Sequence, residues 1–259
     1  MRRFAIAALA ALLAGGAFAQ SAAASPVGRW SISAARDDDQ SHVQLRIDYS
    51  DSSNGNSWNL SWSSPVALSD VGLPADRLRG PVGPVMFRIQ REPGSFDCTG
   101  SAGEGSGAGQ FRYESSARFD DALAWRGLSR PTFQQSLELA IAGTTLAFVD
   151  QLRGSSQHPT TADIVRAVQH GVNPNYIAEM RAAGVTKVTA GQLVTLRDHG
   201  VTPRYIGDLA AAGYKNLGTD DLVALRDHGV SVAFVDRLKS HGYANLSVRD
   251  LIRLRDSGI

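Results

Sequence analysis

The side chains in this sequence that are best suited to chemistry are histidines that recur at a fixed spacing. His170, His199 and His228 stand 29 residues apart, each one place before a glycine. Packed helices lie about 8–10 Å apart, too far for these rings to share one zinc ion through Zn–N bonds of about 2 Å. The row predicts residues at helix C-termini, where the helix dipole favours positive charge. The alternative is a pH-sensitive or partner-contacting stripe.

Arginine–aspartate pairs recur with the same period. They are Arg197-Asp198, Arg226-Asp227 and Arg255-Asp256. One interpretation is a ladder of surface ion pairs between repeat units, each contributing about 0–1 kcal/mol. The other is a charged recognition stripe on one face of the molecule. The candidate interaction stripe consists of Arg197, His199, Arg226, His228 and Arg255.

Other sites carry weaker signals. Segment 103–109 is rich in glycine but lacks the Gly-Lys-Ser/Thr of a phosphate loop, so it predicts a mobile hairpin loop. The run Asp37–Asp39 lacks EF-hand spacing and predicts a solvated turn. Trp58 and Trp62 share one face of a predicted strand, beside the sheet core or as a sugar-stacking platform. No nucleophile–base pair, metal motif or cofactor loop is recognisable. We therefore expect no enzymatic activity, no cofactor and no metal.

Two glycine series show that the C-terminal part of the sequence is repetitive. One series is Gly171, Gly200, Gly229 and Gly258, and the other is Gly184, Gly213 and Gly242. Both have a period of 29 residues, and the fragment Leu-Arg-Asp-His-Gly-Val fills both 196–201 and 225–230. A phased repeat of this length predicts one supersecondary unit that stacks on copies of itself.

Capping residues divide each unit into two short helices. Thr160, Thr189 and Ser247 are followed three residues later by Asp or Gln, the pattern of a capping box, whereas Gly218 is a weaker cap. These caps begin helix A, which ends at the first glycine series. Helix B ends at the second series and begins at Asn173-Pro174, Thr202-Pro203 and Ser231.

Helices of about ten residues are marginal alone, so their apolar faces must pack on neighbouring units. We therefore predict an α-solenoid of 29-residue helix-turn-helix repeats over residues 146–259. A copy of helix B at 148–153, one residue out of phase, joins it to the preceding domain.

Residues 20–145 predict an antiparallel β-sheet domain, which makes the fold class α+β. Apolar and polar residues alternate, which is typical of half-buried strands. A tight turn is expected at Pro93-Gly94, a turn-rich stretch at 100–109 and a short helix within 66–78, capped by Ser69 or Asp70. Helices are expected at 119–128 and 131–142, and Cys98 is expected to be a buried thiol on a strand. The predicted strands are Arg29–Ser33, His42–Tyr49, Ser57–Ser63, Val85–Arg91 and Gln110–Tyr113.

The first 19 residues predict a signal peptide. Arg2 and Arg3 precede an apolar run, and Ala17-Phe18-Ala19 has the small-x-small pattern of a cleavage site. We expect a periplasmic or secreted protein without an integral membrane segment after cleavage. The formal net charge of +1 provides no field for nucleic acid.

A resemblance to a known family rests on two segments and on the repeats. Gln-Arg-Glu-Pro-Gly-Ser-Phe at 90–96 and Gly-Ser-Gly-Ala-Gly-Gln-Phe at 105–111 precede the Leu-Arg-Asp-His-Gly-Val repeats. The combination resembles uncharacterised exported bacterial proteins and the C-terminal region of some BlaR-like sensor metallopeptidases. The resemblance implies β-hairpins followed by helical repeats, and no established activity. The peptidases' transmembrane helices and His-Glu-x-x-His motif are missing here, so peptidase chemistry is not implied.

The expected function is therefore that of an exported, non-enzymatic module. Its repeats would present a surface to a protein or peptide partner, in a setting that includes envelope signalling. The alternative is an envelope-glycan or small-ligand binding protein that uses the aromatic residues of the β-domain.

Overall fold

The computed structural model describes residues 27–34, 41–51 and 57–258. The predicted signal peptide at 1–19, the acidic run Asp37–Asp39 and Ile259 lie outside these ranges. The described chain consists of a six-stranded antiparallel sheet followed by a succession of short helices, which confirms the α+β class. None of the helices in these ranges is long and apolar enough to span a bilayer.

The sheet is built from two three-stranded meanders that meet at their first and last strands. Its order is β3-β2-β1-β6-β5-β4, so β1 pairs with β6 in the centre. All five predicted strands are confirmed, and Cys98 lies buried on β5, as expected. The strands are β1 (Val27–Ala34), β2 (His42–Asp51), β3 (Trp58–Ala67), β4 (Gly83–Arg91), β5 (Gly94–Gly103) and β6 (Ser106–Ser115).

One face of the sheet is buried because apolar residues alternate with polar ones along the strands. On β2, Val43, Leu45, Ile47 and Tyr49 are buried while the residues between them are exposed or half-buried. The buried face is covered by two helices that pack on β5 and β6. The opposite face is polar, and its side chains include the Arg88–Asp97 ion pair.

The glycine-rich segment is strand and not the predicted loop. β5 continues to Gly103 and β6 begins at Ser106, so only a two-residue turn separates them. Close packing between strands accounts for two of the glycines: a Cβ atom on Gly109 would collide with the Thr99 carbonyl, and one on Gly100 would stand 2.8 Å from the Trp30 ring. The Trp30 indole Nε1 donates hydrogen bonds to the carbonyls of Thr99 at 3.2 Å and Gln110 at 3.1 Å. Gly100 therefore makes room for a buried tryptophan.

The connection between β3 and β4 differs from the prediction in its cap. A 3-10 turn spans Leu68–Asp70, and helix α1 spans Ala75–Arg79. The N-cap of α1 is Pro74, and no side chain caps the helix, so the expectation of Ser69 or Asp70 is wrong. β3 runs on to Ala67, which places both candidates in the 3-10 turn and too early to cap α1.

Ten further helices follow β6, each nine or ten residues long, and the helices expected at 119–128 and 131–142 are among them. They are α2 (Ala117–Trp125), α3 (Phe133–Ile141), α4 (Leu146–Ser155), α5 (Thr161–Gln169), α6 (Pro174–Ala182), α7 (Ala190–Asp198), α8 (Pro203–Ala211), α9 (Thr219–Asp227), α10 (Val232–Ser240) and α11 (Val248–Asp256).

The helix boundaries follow the predicted capping chemistry. Thr160 and Thr189 form complete capping boxes, and Asn173 and Thr202 cap helices that have Pro at their first turn. Gly218 has no side-chain cap, as its identity predicts. All seven glycines of the two series have φ between 65° and 94°, the left-handed conformation that ends a helix.

Each helix from α2 to α9 packs on the helix two places further along the chain. Thus α5 lies against α7, α7 against α9 and α9 against α11, while α4, α6, α8 and α10 pack in the same way. One hydrophobic cluster runs continuously from Phe119 to Leu251.

The predicted offset of one residue at 148–153 is confirmed. The α4 cap Thr145 stands 28 residues before Asn173, one residue fewer than the period. Helix α3 already carries a capping box, from Thr132 to Gln135, and a positive-φ stop at Gly143. The unit pattern therefore extends upstream of residue 146.

Helix α3 joins the sheet to the helices. Leu137, Ala140 and Ile141 belong to the sheet core, whereas Leu139 belongs to the helical cluster. The Tyr113 hydroxyl on β6 contacts the Ser136 hydroxyl at 2.8 Å within this junction.

Candidate functional site

The histidines of the predicted stripe stand at helix C-termini. His170, His199 and His228 are the C-cap residues of α5, α7 and α9, which confirms the prediction from the glycines that follow them. Their side chains are 40–44% exposed, so they are accessible but not free of neighbours.

Each histidine contacts an aspartate of the next unit. The Nδ1 atom of His170 lies 2.8 Å from a carboxylate oxygen of Asp198, and His199 stands 2.8 Å from Asp227. The third pair, His228 and Asp256, is separated by 2.9 Å. A ladder of polar pairs between units therefore exists, but the partner of each aspartate is histidine and not arginine. The sequence-based expectation of arginine–aspartate ion pairs is corrected in that respect.

The arginines of the stripe lie over aromatic rings of the preceding unit. The guanidinium carbon of Arg197 is 5.1 Å from the centre of the Tyr176 ring, and that of Arg226 is 5.3 Å from the centre of the Tyr205 ring. Arg255 stands 5.6 Å above Phe234. These are cation–π distances, worth about 0.5–1 kcal/mol at exposed sites.

The arginines also lie close to the backbone of the preceding helix stop. A Cβ atom placed on Gly171 would stand 3.7 Å from Nε of Arg197, so the side chain crosses the helix stop of the preceding unit. Arg255 Nε donates to the Gly229 carbonyl at 3.0 Å. Within the described residues, the guanidinium groups of Arg197 and Arg226 have no hydrogen-bond acceptor.

The hydroxyls of the tyrosines beneath the arginines donate hydrogen bonds to the backbone carbonyl that follows the next glycine stop. The Tyr205 hydroxyl donates to the Val230 carbonyl at 2.7 Å, and Tyr176 makes the same contact with Val201 at 3.5 Å. Burial raises the pKa of Tyr176 to about 12, against the opposing effect of Arg197. The phenol therefore stays a neutral donor at physiological pH.

These contacts define a rung, and three rungs form what we call the ladder. No further rung precedes these three, because α5 has Val168 and Gln169 at the positions where later helices have arginine and aspartate. At the C-terminal end of α11, Ser257 occupies the position that histidine has in the earlier helices. The rungs are His170–Tyr176–Arg197–Asp198, His199–Tyr205–Arg226–Asp227 and His228–Phe234–Arg255–Asp256.

The sheet aromatics lie in or beside the core. Trp30 is 2% exposed. Trp58 and Trp62 are half-buried and pack against the core, with the Trp58 ring 5.1 Å from that of Tyr49. Sequence reasoning did not single out Trp125, which is 90% exposed on α2.

Two clefts could not be predicted from the sequence, because the residues that line each of them come from separate segments of the chain. A cleft of about 610 Å³ separates the β4–β5 turn from α2 and α4, and Arg118 lines it. A second, of about 890 Å³, lies at the segment that connects α4 to α5. There Arg126 holds Asp150 through contacts of 2.7 and 2.8 Å and lowers the pKa of that carboxyl.

The single cysteine of the sequence is buried. Burial raises the pKa of the Cys98 thiol to about 12, so this cysteine is protonated and unreactive. No group of three or more potential metal ligands occurs within these ranges.

No protein-family model matches this chain, and no curated protein or solved structure is significantly similar to it. The geometry of the ladder is therefore the feature that indicates a function.

Proposed function

We propose that the helices from α2 onward form an α-solenoid of 29-residue helix-turn-helix repeats. Packing between every second helix supports this arrangement. The recurrence of caps, glycine stops and rungs at one period supports it as well. Short helices that bury their faces only against their neighbours are typical of such arrays.

We further propose that the protein is an exported, non-enzymatic module whose ladder binds a protein or peptide partner. The observation that carries this proposal is the ladder itself: one half-exposed group of histidine, aspartate and arginine occurs three times along stacked helices. A surface that repeats at a fixed spacing suits a partner that extends across several units. The predicted signal peptide and the resemblance to exported bacterial proteins support a periplasmic or secreted location and a role in envelope signalling.

Affinity capture on the mature chain, beginning near Gln20, tests this proposal. The immobilised protein is exposed to envelope extract of the source cells, and bound proteins are identified by mass spectrometry. We expect a partner that is lost on the double change Arg197→Glu/Arg226→Glu. The matched control, Arg181→Glu/Arg249→Glu, reverses two exposed arginines outside the ladder and retains the partner. Identical capture by both variants would exclude the ladder as the binding surface.

A further inference from the structure

We infer that the ladder binds an extended acidic segment in a polyproline II conformation, with a carboxylate at every third residue. This inference rests on the proposed binding function and specifies the chemistry of its partner. Three properties of the rungs lead to it: unpaired guanidinium donors, their fixed orientation and their spacing.

The arginines are the groups in each rung that remain available. Histidine contacts the aspartate in all three rungs. The guanidinium groups of Arg197 and Arg226 have no acceptor within the described residues, and Arg255 uses only Nε, on the Gly229 carbonyl. The planar fork of a guanidinium matches the two oxygens of a carboxylate through parallel hydrogen bonds.

The forks are held in place before any partner arrives. Each guanidinium lies over an aromatic ring at 5.1–5.6 Å, and each crosses the glycine stop of the preceding helix. A side chain that is already ordered loses less entropy on binding, so contacts with it contribute more to affinity.

The spacing of the rungs selects the conformation of the partner. The rungs stand on α7, α9 and α11, which pack side by side, and packed helices lie about 8–10 Å apart. A polyproline II chain has three residues per turn and rises about 3.1 Å per residue, so every third side chain returns to the same face after about 9 Å. A β-strand returns after about 7 Å and an α-helix after about 5.4 Å, and neither matches.

The charge balance of the ladder indicates that short-range geometry, and not long-range attraction, selects the partner. The three rungs hold three arginines and three aspartates, so the formal charges of these side chains cancel. The ladder therefore has little long-range field and selects its partner through the fork geometry. Simultaneous contact with successive rungs raises the affinity of one continuous segment above that of separate carboxylates.

Fluorescence anisotropy with three labelled twelve-residue peptides tests the inference. The first consists of four Glu-Pro-Pro repeats, the second of four Gln-Pro-Pro repeats, and the third has the composition of the first with its glutamates contiguous. We expect the first to bind and the second to show no binding. The third should bind about tenfold more weakly, since its carboxylates meet fewer rungs. Equal binding of the first and second peptides, or of the first and third, would overturn the inference.

A charge-preserving variant separates fork geometry from charge. Arg197→Lys/Arg226→Lys keeps both positive charges but removes two planar forks, so the first peptide should bind about tenfold more weakly for each rung changed. Arg181→Lys/Arg249→Lys is the control and should leave the affinity unchanged. Thermal unfolding of each variant verifies that the helices remain folded. Unchanged affinity in the ladder variant would contradict the inference.

The two proposals fail in different ways. A captured envelope protein that depends on Arg197 and Arg226 but has no acidic segment would refute the inference and leave the binding function intact. Binding of the Glu-Pro-Pro peptide with no ladder-dependent partner in the extract would support the chemistry and count against the proposed function.

Discussion

Thr144 is a buried residue whose hydroxyl is not satisfied. It follows the glycine stop of α3, the position at which later units have Val172, Val201 and Val230. All four side chains are buried, but the Oγ1 atom of Thr144 has no hydrogen-bond partner. A buried hydroxyl without a partner costs about 1–3 kcal/mol of stability.

Replacing this threonine by its counterpart should stabilise the protein. Thr144→Val removes the unsatisfied oxygen while keeping the shape, and we expect the free energy of unfolding to rise by about 1 kcal/mol. The reciprocal change Val172→Thr should lower it by about 1–3 kcal/mol. Urea unfolding measures both. Destabilisation by Thr144→Val would show that the hydroxyl has a partner after all.

Folding shifts the pKa values of two aspartates in opposite directions. The backbone N–H and hydroxyl of Thr160 lower the pKa of Asp163, because both donate to its carboxylate in the capping box. Burial raises the pKa of Asp120, with Arg130 opposing it, and its Oδ1 atom has no hydrogen-bond partner. Ionisation therefore stabilises the fold at the first residue and destabilises it at the second.

This difference predicts opposite pH dependences. Asp163 contributes stability above its unfolded pKa of about 3.9 and loses it as the pH falls through the lower folded value. Asp163→Asn should therefore destabilise the protein at pH 7, with a difference that closes in acid.

For Asp120, stability is lost as the pH rises from the unfolded pKa of about 3.9 through the raised folded value. Asp120→Asn should thus stabilise the protein at pH 7, and this gain should vanish below the unfolded pKa. Thermal melts of both variants between pH 7 and pH 3 measure the effect, and a same-sign result at pH 7 would contradict it.

At the scale of single residues, sequence reasoning succeeded where the cause is local. Capping residues and the histidines at helix ends depend on a few neighbouring residues, so Thr160 and His199 were predicted correctly. The arginine–ring contacts join residues of different units, such as Tyr176 and Arg197, and no short sequence window contains both. The pairing of Asp198 with His170 is not predictable either, because these residues also belong to different units.

Among the structural elements, strands β5 and β6 show why composition misleads. Glycine is a common turn residue, so segment 103–109 was predicted to be a loop. In the structure, Gly100 and Gly109 pair across the two strands, and Trp30 occupies the space above them. The Trp30 ring, some 70 residues earlier in the chain, leaves no room for a Cβ atom on Gly100, and the Thr99 carbonyl on β5 leaves none for a Cβ atom on Gly109.

Adding a methyl group distinguishes required glycines from tolerated ones. Gly100→Ala should destabilise the protein by about 1–3 kcal/mol or more, since its Cβ would collide with the Trp30 ring and the Ala108 carbonyl. Gly154→Ala, in α4, meets nothing within 4 Å and should stabilise the helix by up to about 1 kcal/mol. Chemical unfolding compares the two. Equal effects would refute the role assigned to Gly100.

For the molecule as a whole, α3 couples sheet and helices. Leu137 is fully buried in the sheet core, and Leu139, two residues later, is fully buried in the helical cluster. The hydroxyls of Tyr113 and Ser136 also meet at this junction. The sequence predicted both parts of the molecule but not how they meet, because the apolar pattern of α3 does not specify which residues face which partner.

This junction predicts that the two parts unfold together. Leu137→Ala should lower the free energy of unfolding by about 2–5 kcal/mol. Near-UV circular dichroism, which follows the aromatic sheet core, and far-UV circular dichroism, which follows the helices, should shift by the same amount. A shift in the near-UV transition alone would show that the helices unfold independently. The exposed change Gln134→Ala on the same helix is the control.

The central pairing of β1 with β6 has a consequence for how the chain matures. Gly28 pairs with Phe111, and no turn connects the two strands to fix their alignment. A slip of one residue would turn Trp30 outward, so burial of the indole selects the observed alignment. Until the second meander reaches it, the inner edge of β1 has no strand partner, and that edge is where pairing with another chain would begin.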